Sequence, residues 1–384
     1  MTSARGLALW ESGDREKVVA RVAIAGDFLP AGALKLPGNG SWGSAAEALA
    51  PCFEDVATTF ANLECSIDVD GLTPRRLVGL GAIVSAPVAA LDYLAAIRAV
   101  AVGCANNHAY DFSDAGVKRT RRALDRRNLS LIGAGHNTKA PPDAYVWHGP
   151  GSLKVGFWAA AKASHNLASR GRSGVEPATL DRARRALEQI RSQNAGFSIA
   201  LLHTGVLRAN RPEPADVELM DAIAAEGFDV IAASHSHRIS GAKCVLDKRG
   251  RRAFCFYGLG SLVSGYIASP LEREGLVVVA GLTAHSKLEN LEVRPVLLAP
   301  SGFGEVPATD AARTILDRFE QLSSELADGS SKKLFYQEIS QNLLKVYLRD
   351  MRAAFRETGI RGLALKTSRI RLRHLRRLAH GLLP

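Results

Sequence analysis

Residues 100–111 read Val-Ala-Val-Gly-Cys-Ala-Asn-Asn-His-Ala-Tyr-Asp, an apolar run that ends abruptly in two amides, an imidazole and a carboxylate. A short apolar run of this kind suits a strand buried in an α/β sheet, and such sheets present their chemistry where the strands end. Taken alone, the polar end is also a loop whose Asn and His residues cap the helix expected over residues 114–128. Four further runs stop in the same way. Residues 18–26 stop at Asp27, 56–61 at Asn62-Leu-Glu64, 197–202 at His203, and 228–233 at Ser234-His-Ser-His237.

At 384 residues, with 47% hydrophobic and 23% charged residues, the composition is that of an ordinary globular protein with one large core and an appendage, or two domains. No run approaches the ~20 apolar residues that span a bilayer. Residues 1–17 lack an apolar signal core, so the expected location is cytoplasmic. Cys52, Cys65, Cys104, Cys244 and Cys255 are odd in number and have no CxxC spacing, which argues against a disulfide framework and a cysteine zinc site. The net charge of +11 is unevenly spread: residues 358–384 hold seven Lys or Arg and no acidic residue.

Helical spacing predicts helices over residues 44–51, 88–97, 114–128, 177–192 and 215–227, the last closed by its terminal glycine. Lys118, Arg121, Arg122 and Arg126 on the third read as a solvated face. The apolar runs 253–259, 276–281 and 291–298 follow without helices between them, so the second half is expected to close with antiparallel strands. The division expected is a body of residues 1–305 and a helical appendage of residues 306–384, with helices over 310–326, 333–357 and 366–380. The last sets Leu372, Leu375, Leu378 and Leu382 on one stripe, with Arg369, Arg373, Arg376 and Arg377 elsewhere. Such a basic amphipathic helix docks on its own body, on an anionic membrane surface or on a protein partner. No nucleic-acid-binding motif accompanies it.

Asp27, Glu64, Asn107, His203, His235 and His237 form a mixed oxygen and nitrogen set of the kind that holds one or two divalent ions around a shared carboxylate. Manganese favours the oxygens, and iron or zinc accept the imidazoles. Two such ions, ~3.5–4 Å apart, clamp a substrate oxyanion and lower the pKa of a bridging water. His108 is then left as general acid for the leaving group, and Asp111 is a second catalytic candidate or a substrate contact. Asn62, Asn106 and Arg208 are candidate substrate contacts. A single His-x-His is weak evidence, because alternate strand residues share a face for packing reasons too. The argument rests on the combination.

The same residues carry a resemblance. Gly26-Asp27, Asn62-Leu-Glu64, Ala105-Asn-Asn-His-Ala-x-Asp111, His203-Thr-Gly205, Gly227-Phe-Asp-Val-Ile with His235-Ser-His237, and Tyr257-Gly-Leu-Gly-Ser261 resemble the successive motifs of the bacterial capsule-synthesis CapA family. That family is associated with poly-γ-glutamate and related to calcineurin-like metallophosphoesterases. The resemblance covers residues 18–265. It implies an α/β fold of four layers, an α-β-β-α sandwich of metallophosphoesterase type, with a dinuclear metal site at the strand ends. It implies that Asp27 binds the first metal, that Glu64 takes the place of the bridging carboxylate, and that Asn107 and His108 supply a ligand and a proton donor. His203, His235 and His237 complete the set.

Departures from the family pattern fall around the ligands. Leu29 stands where phosphoesterases have the histidine of Asp-x-His, Thr204 and Leu207 replace the Trp and Glu of His-Trp-Gly-x-Glu, and Ser261-Leu262 replaces Asn-Phe. The ligand core is kept while the substrate-facing residues differ. The expected function is that of a metal-dependent, hydrolase-like enzyme acting on an anionic small-molecule, peptide or polymer substrate, either a phosphoester or a glutamyl-type amide or carboxylate. The rival is a non-catalytic accessory subunit of anionic polymer synthesis, held at the inner membrane face by the basic C-terminal helix.

Overall fold

The apolar runs become strands because their β-branched and aromatic residues pack on both faces of a sheet. The computed structural model describes residues 2–3, 6–13, 16–36, 40–75, 82–162, 166–340 and the pairs 351–352, 355–356 and 359–360. In chain order the main strands are β1 (Gly6–Glu11), β2 (Val18–Gly32), β3 (Thr58–Leu63), β4 (Ala99–Gly103) and β5 (Ser130–Ile132). Then come β6 (Ala144–His148), β7 (Lys154–Ala161), β8 (Phe197–His203), β9 (Val230–Ser234), β10 (Ala242–Leu246) and β11 (Arg252–Phe256). The last are β12 (Ser261–Gly265), β13 (Glu274–Thr283) and β14 (Leu288–Leu298).

Two sheets result. The first runs β1-β14-β13-β2-β3-β4-β5, with β12 laid parallel along the end of β2. The second runs β6-β7-β8-β9-β11-β10. They face each other: Phe60 of β3 stacks on Phe157 of β7 with centroids 4.6 Å apart. Alternate residues then turn to the outer layers. Trp158, Ala200, Leu202 and Ile231 pack against α2 (Leu180–Ser192) and α3 (Pro214–Glu226), which follow α1 (Ser113–Asp125) in the chain. On the far side, Phe28 meets Trp42 and Tyr93, which lie in short helical segments. This is the expected α-β-β-α sandwich.

Local chemistry explains the helices. The side chain of Thr179 caps α2 by accepting from Arg182 N (3.3 Å), and Gly227 closes α3 at φ +112°. Arg121, on the basic face of α1, donates to Leu131 O and Ala134 O, so part of that face is structural.

Two expectations change. The run 253–259 is not part of an antiparallel closing set: β11 pairs parallel with β9, because hairpin partner β10 carries the chain to the sheet edge first. Only β13 and β14 form an antiparallel pair beside β2. Helix α4 (Thr309–Ala327), assigned to the appendage, belongs to the main core through Ile315, Leu316, Phe319 and Leu322, and it packs against β10 and β14, one strand from each sheet. Residues 331–340 are helical, whereas the basic helix at 366–380 and its Arg369, Arg373, Arg376 and Arg377 lie outside the described residues. Among the described residues no helix is long and apolar enough to cross a membrane.

One irregularity decides where the chemistry points. Ala25 pairs with Ala61 but Asp27 pairs with Asn62, so Gly26 is an extra residue, a β-bulge. Without it the two-residue period would turn Asp27 outward; with it Asp27 shares the inner face with Asn62 and Phe60. Gly26 also passes so close to the returning chain that an added Cβ would lie 2.0 Å from Gly260 O. Gly26→Ala is therefore expected to destabilise the protein by about 2–3 kcal/mol in urea unfolding. Gly43→Ala, where a Cβ meets nothing within 4 Å, should leave the midpoint unchanged or raise it.

Candidate metal centre

Period-two alternation brings the facing sheets' polar ends together. On β8, Ile199 and Leu201 point into the inter-sheet core, so His203 does too. On β3, Asn62 follows Phe60 on the same face, and its Nδ2 lies 2.7 Å from Asp27 Oδ1 and 3.3 Å from His203 Nδ1. Asn106 Nδ2 donates to Asn62 Oδ1 (3.3 Å) and Leu63 O (2.7 Å), while its Oδ1 accepts from His108 N (3.1 Å). Asn107 Oδ1 meets His203 Nε2 at 2.5 Å.

His235 and His237 reach the cluster by breaking the pleat. Their φ angles are +123° and +57°, conformations that non-glycine residues adopt only when their surroundings enforce them. Asp27 Oδ2 enforces them here, accepting from His235 N (3.2 Å) and lying 3.0 Å from His237 Nδ1. The His235 and His203 rings stand 4.5 Å apart.

Glu64 completes the set. Two triads have ligand atoms within 4.8 Å of one another, Asp27–Glu64–His237 and Glu64–His203–His235, and Glu64 belongs to both. Its oxygens lie 3.5 Å from His203 Nε2 and 3.8 Å from His237 Nδ1, yet neither oxygen makes a hydrogen bond among the described residues. Burial, then the charge of Asp27, push its carboxyl well above the usual range. Burial would raise Asp27 too, but His237, His203 and Asn62 more than reverse this and hold it below the carboxylate range. Burial and the neighbouring His235 hold His203 well below an ordinary imidazole. The cluster is thus a donor set short of positive charge, and its oxygen and nitrogen donors fit a divalent cation.

With the geometry in view, sequence comparison is decisive. The family described as bacterial capsule synthesis protein PGA_cap matches residues 21–266. The chain belongs to this family. Capsule biosynthesis protein CapA of Bacillus anthracis is 27% identical over 164 residues, 41% of this chain and 38% of that protein, so the match spans well under half of the curated relative. Similar solved structures include a 5'-nucleotidase precursor from Thermus thermophilus (TM-score 0.47, 14% identity, 79% of this chain and 58% of that one). Another is the NAD nucleotidase NadN of Haemophilus influenzae (TM-score 0.43, 11% identity, 79% and 56%).

Within this PGA_cap chain, four of the expected site side chains are held by other residues. Asn62 and Asn106 are 2% and 0% exposed, and their amides are engaged with Asp27, with each other and with Leu63 O. Asp111 Oδ2 is occupied by His108 Nδ1 (2.8 Å) and Val84 N (2.7 Å). Arg208 turns to Glu272 (3.3 Å) instead of the cluster. Sequence reasoning missed Asn210 and Arg238, which brace the two-histidine loop from behind (3.2 Å); neither stands in a motif or at a strand end.

Asn62→Ala would strip buried Asp27 Oδ1 and Asn106 of a partner each. The expected cost is about 2 kcal/mol of unfolding free energy, read from urea midpoints, without change in the far-UV circular dichroism of the folded state.

Proposed function

We propose that this protein is a divalent-cation-dependent hydrolase of an anionic substrate, a phosphoester or a glutamyl-type amide. The observation that carries the reading is Glu64, a fully buried carboxylate that makes no hydrogen bond among the described residues and that two triads of ligand-type side chains share. Burying an unpaired carboxylate costs several kcal/mol, which a bound cation offsets. Asp27, Glu64, Asn107, His203, His235 and His237 would hold one or two ions of manganese, iron or zinc. Such ions supply charge neutralisation to an anionic substrate and lower the pKa of water. Family membership keeps glutamyl substrates beside phosphoesters.

The chain's own part in the chemistry falls to His108. Asp111 holds its Nδ1, which fixes the ring and leaves Nε2 to protonate the departing atom. As the water oxygen bonds to phosphorus or to the carbonyl carbon, the leaving-group bond breaks and that proton neutralises it. Asn62 and Asn106 keep the ligands aligned meanwhile.

Protein prepared without chelators or a histidine tag should carry about one or two equivalents of metal by elemental mass spectrometry. Glu64→Gln should lose them while remaining folded. His108→Asn should keep its metal but turn over an aryl phosphate or a glutamyl anilide about 10²–10⁴-fold more slowly. A wild type that holds no metal, and whose melting temperature no added cation raises, would sink the hydrolase reading in favour of an accessory role.

A further inference from the structure

The loop that carries His235 and His237 is held from two sides. Asp27 holds it at the metal centre, and Arg238 holds it from the opposite side. Arg238 has an 11% exposed side chain, whose Nη1 lies 3.2 Å from Asn210 Oδ1 and 3.8 Å from Glu338 Oε1. Nη2 lies 3.1 Å from Ser269 Oγ and 3.7 Å from Glu272 Oε1. Ser236 Oγ closes the loop on itself by accepting from Arg238 N (3.3 Å).

Glu338 belongs to the helical stretch 331–340, outside the residues 21–266 that the family matches. Its carboxylate also accepts from Asn210 N (2.9 Å) and lies 3.4 Å from Arg211 Nη1. Arg211 is in turn bidentate on Glu325 of α4 (2.7 and 2.8 Å). Phe335 and Ile339 pack on Ala209, which seats the stretch on the body. A cavity of about 370 Å³ remains between them, lined by Arg211, Arg238 and Arg318. Each of these pairs with glutamate, so the arrangement is a charge-balanced clamp more than an anion site.

We propose that Glu338, acting through Arg238, is a positioning residue that holds the His235–His237 loop in the conformation that gathers its two imidazoles. A helix from beyond the family region thus tunes the centre. The consequence for cation affinity rests on the metal-centre reading; the consequence for the loop does not.

The test uses the full chain as Glu338→Gln, Arg238→Lys and the double variant, with exposed Glu320→Gln of α4 as control. Hydrogen exchange over residues 234–240 of cation-free protein should quicken in the first three and not in the control, while β2 and β8 stay protected. Manganese affinity by calorimetry should fall about tenfold in Glu338→Gln, and the double variant should lose less than the two singles summed, because the contact between Arg238 and Glu338 is broken in both. Unchanged loop exchange in Glu338→Gln, or an equal change in the control, would overturn the proposal. Faster loop exchange in Glu338→Gln together with a wild type that binds no manganese supports the positioning contact and overturns the metal reading alone.

Discussion

The carboxamide of Asn62 ties the two sheets together where the chemistry lies. Its Nδ2 serves Asp27 on its own sheet and His203 on the facing one, and its Oδ1 receives Asn106. Both N–H donors of the amide are used by this arrangement, and its oxygen accepts one bond. The spacing of the sheets at this end is therefore set by hydrogen-bond length as well as by packing. The stacked Phe60 and Phe157, two residues deeper on β3, set the same spacing with apolar contact.

Charge is handled differently here from elsewhere in the interior. Glu176 is buried but receives Arg182 through two oxygens (2.5 and 2.7 Å), and buried Asp216 receives Lys162 and Thr204. Glu64 makes no hydrogen bond among the described residues, its nearest imidazole nitrogens being His203 Nε2 at 3.5 Å and His237 Nδ1 at 3.8 Å, and burial pushes His203 well below an ordinary imidazole. A fold that gives Glu176 and Asp216 hydrogen-bonded cations leaves Glu64 with only these longer contacts at the meeting point of three histidines. Sites that are locally costly in this way are where function outweighs stability.

The candidate ligands were legible from the sequence because each stands at the end of an apolar run, and run ends mark strand ends whatever the tertiary arrangement. The helices 180–192 and 214–226 were legible for a similar reason, since their caps and apolar period are local. The bulge at Gly26 was not legible: glycine there suits a turn or a close approach equally, and only pairing with β3 reveals the extra residue. The partners that occupy Asn62, Asn106 and Arg208 were not legible, because an exposed and an engaged polar side chain look identical in sequence. The course of β11 was missed because an apolar run carries no mark of its neighbour's direction.

By itself the sequence determined the alternating strands and helices, the ordered ligand residues and the family motifs, all of which depend on short-range periodicity and residue chemistry. The tertiary structure decided that two triads of ligand-type side chains share Glu64, which amides are engaged, and how the His235–His237 loop is braced. Those outcomes rest on contacts between residues far apart in the chain, such as Asn62 with His203 across 141 positions and Asn210 with Glu338 across 128. No local pattern encodes such contacts, because their geometry exists only once both sheets have closed on a common core.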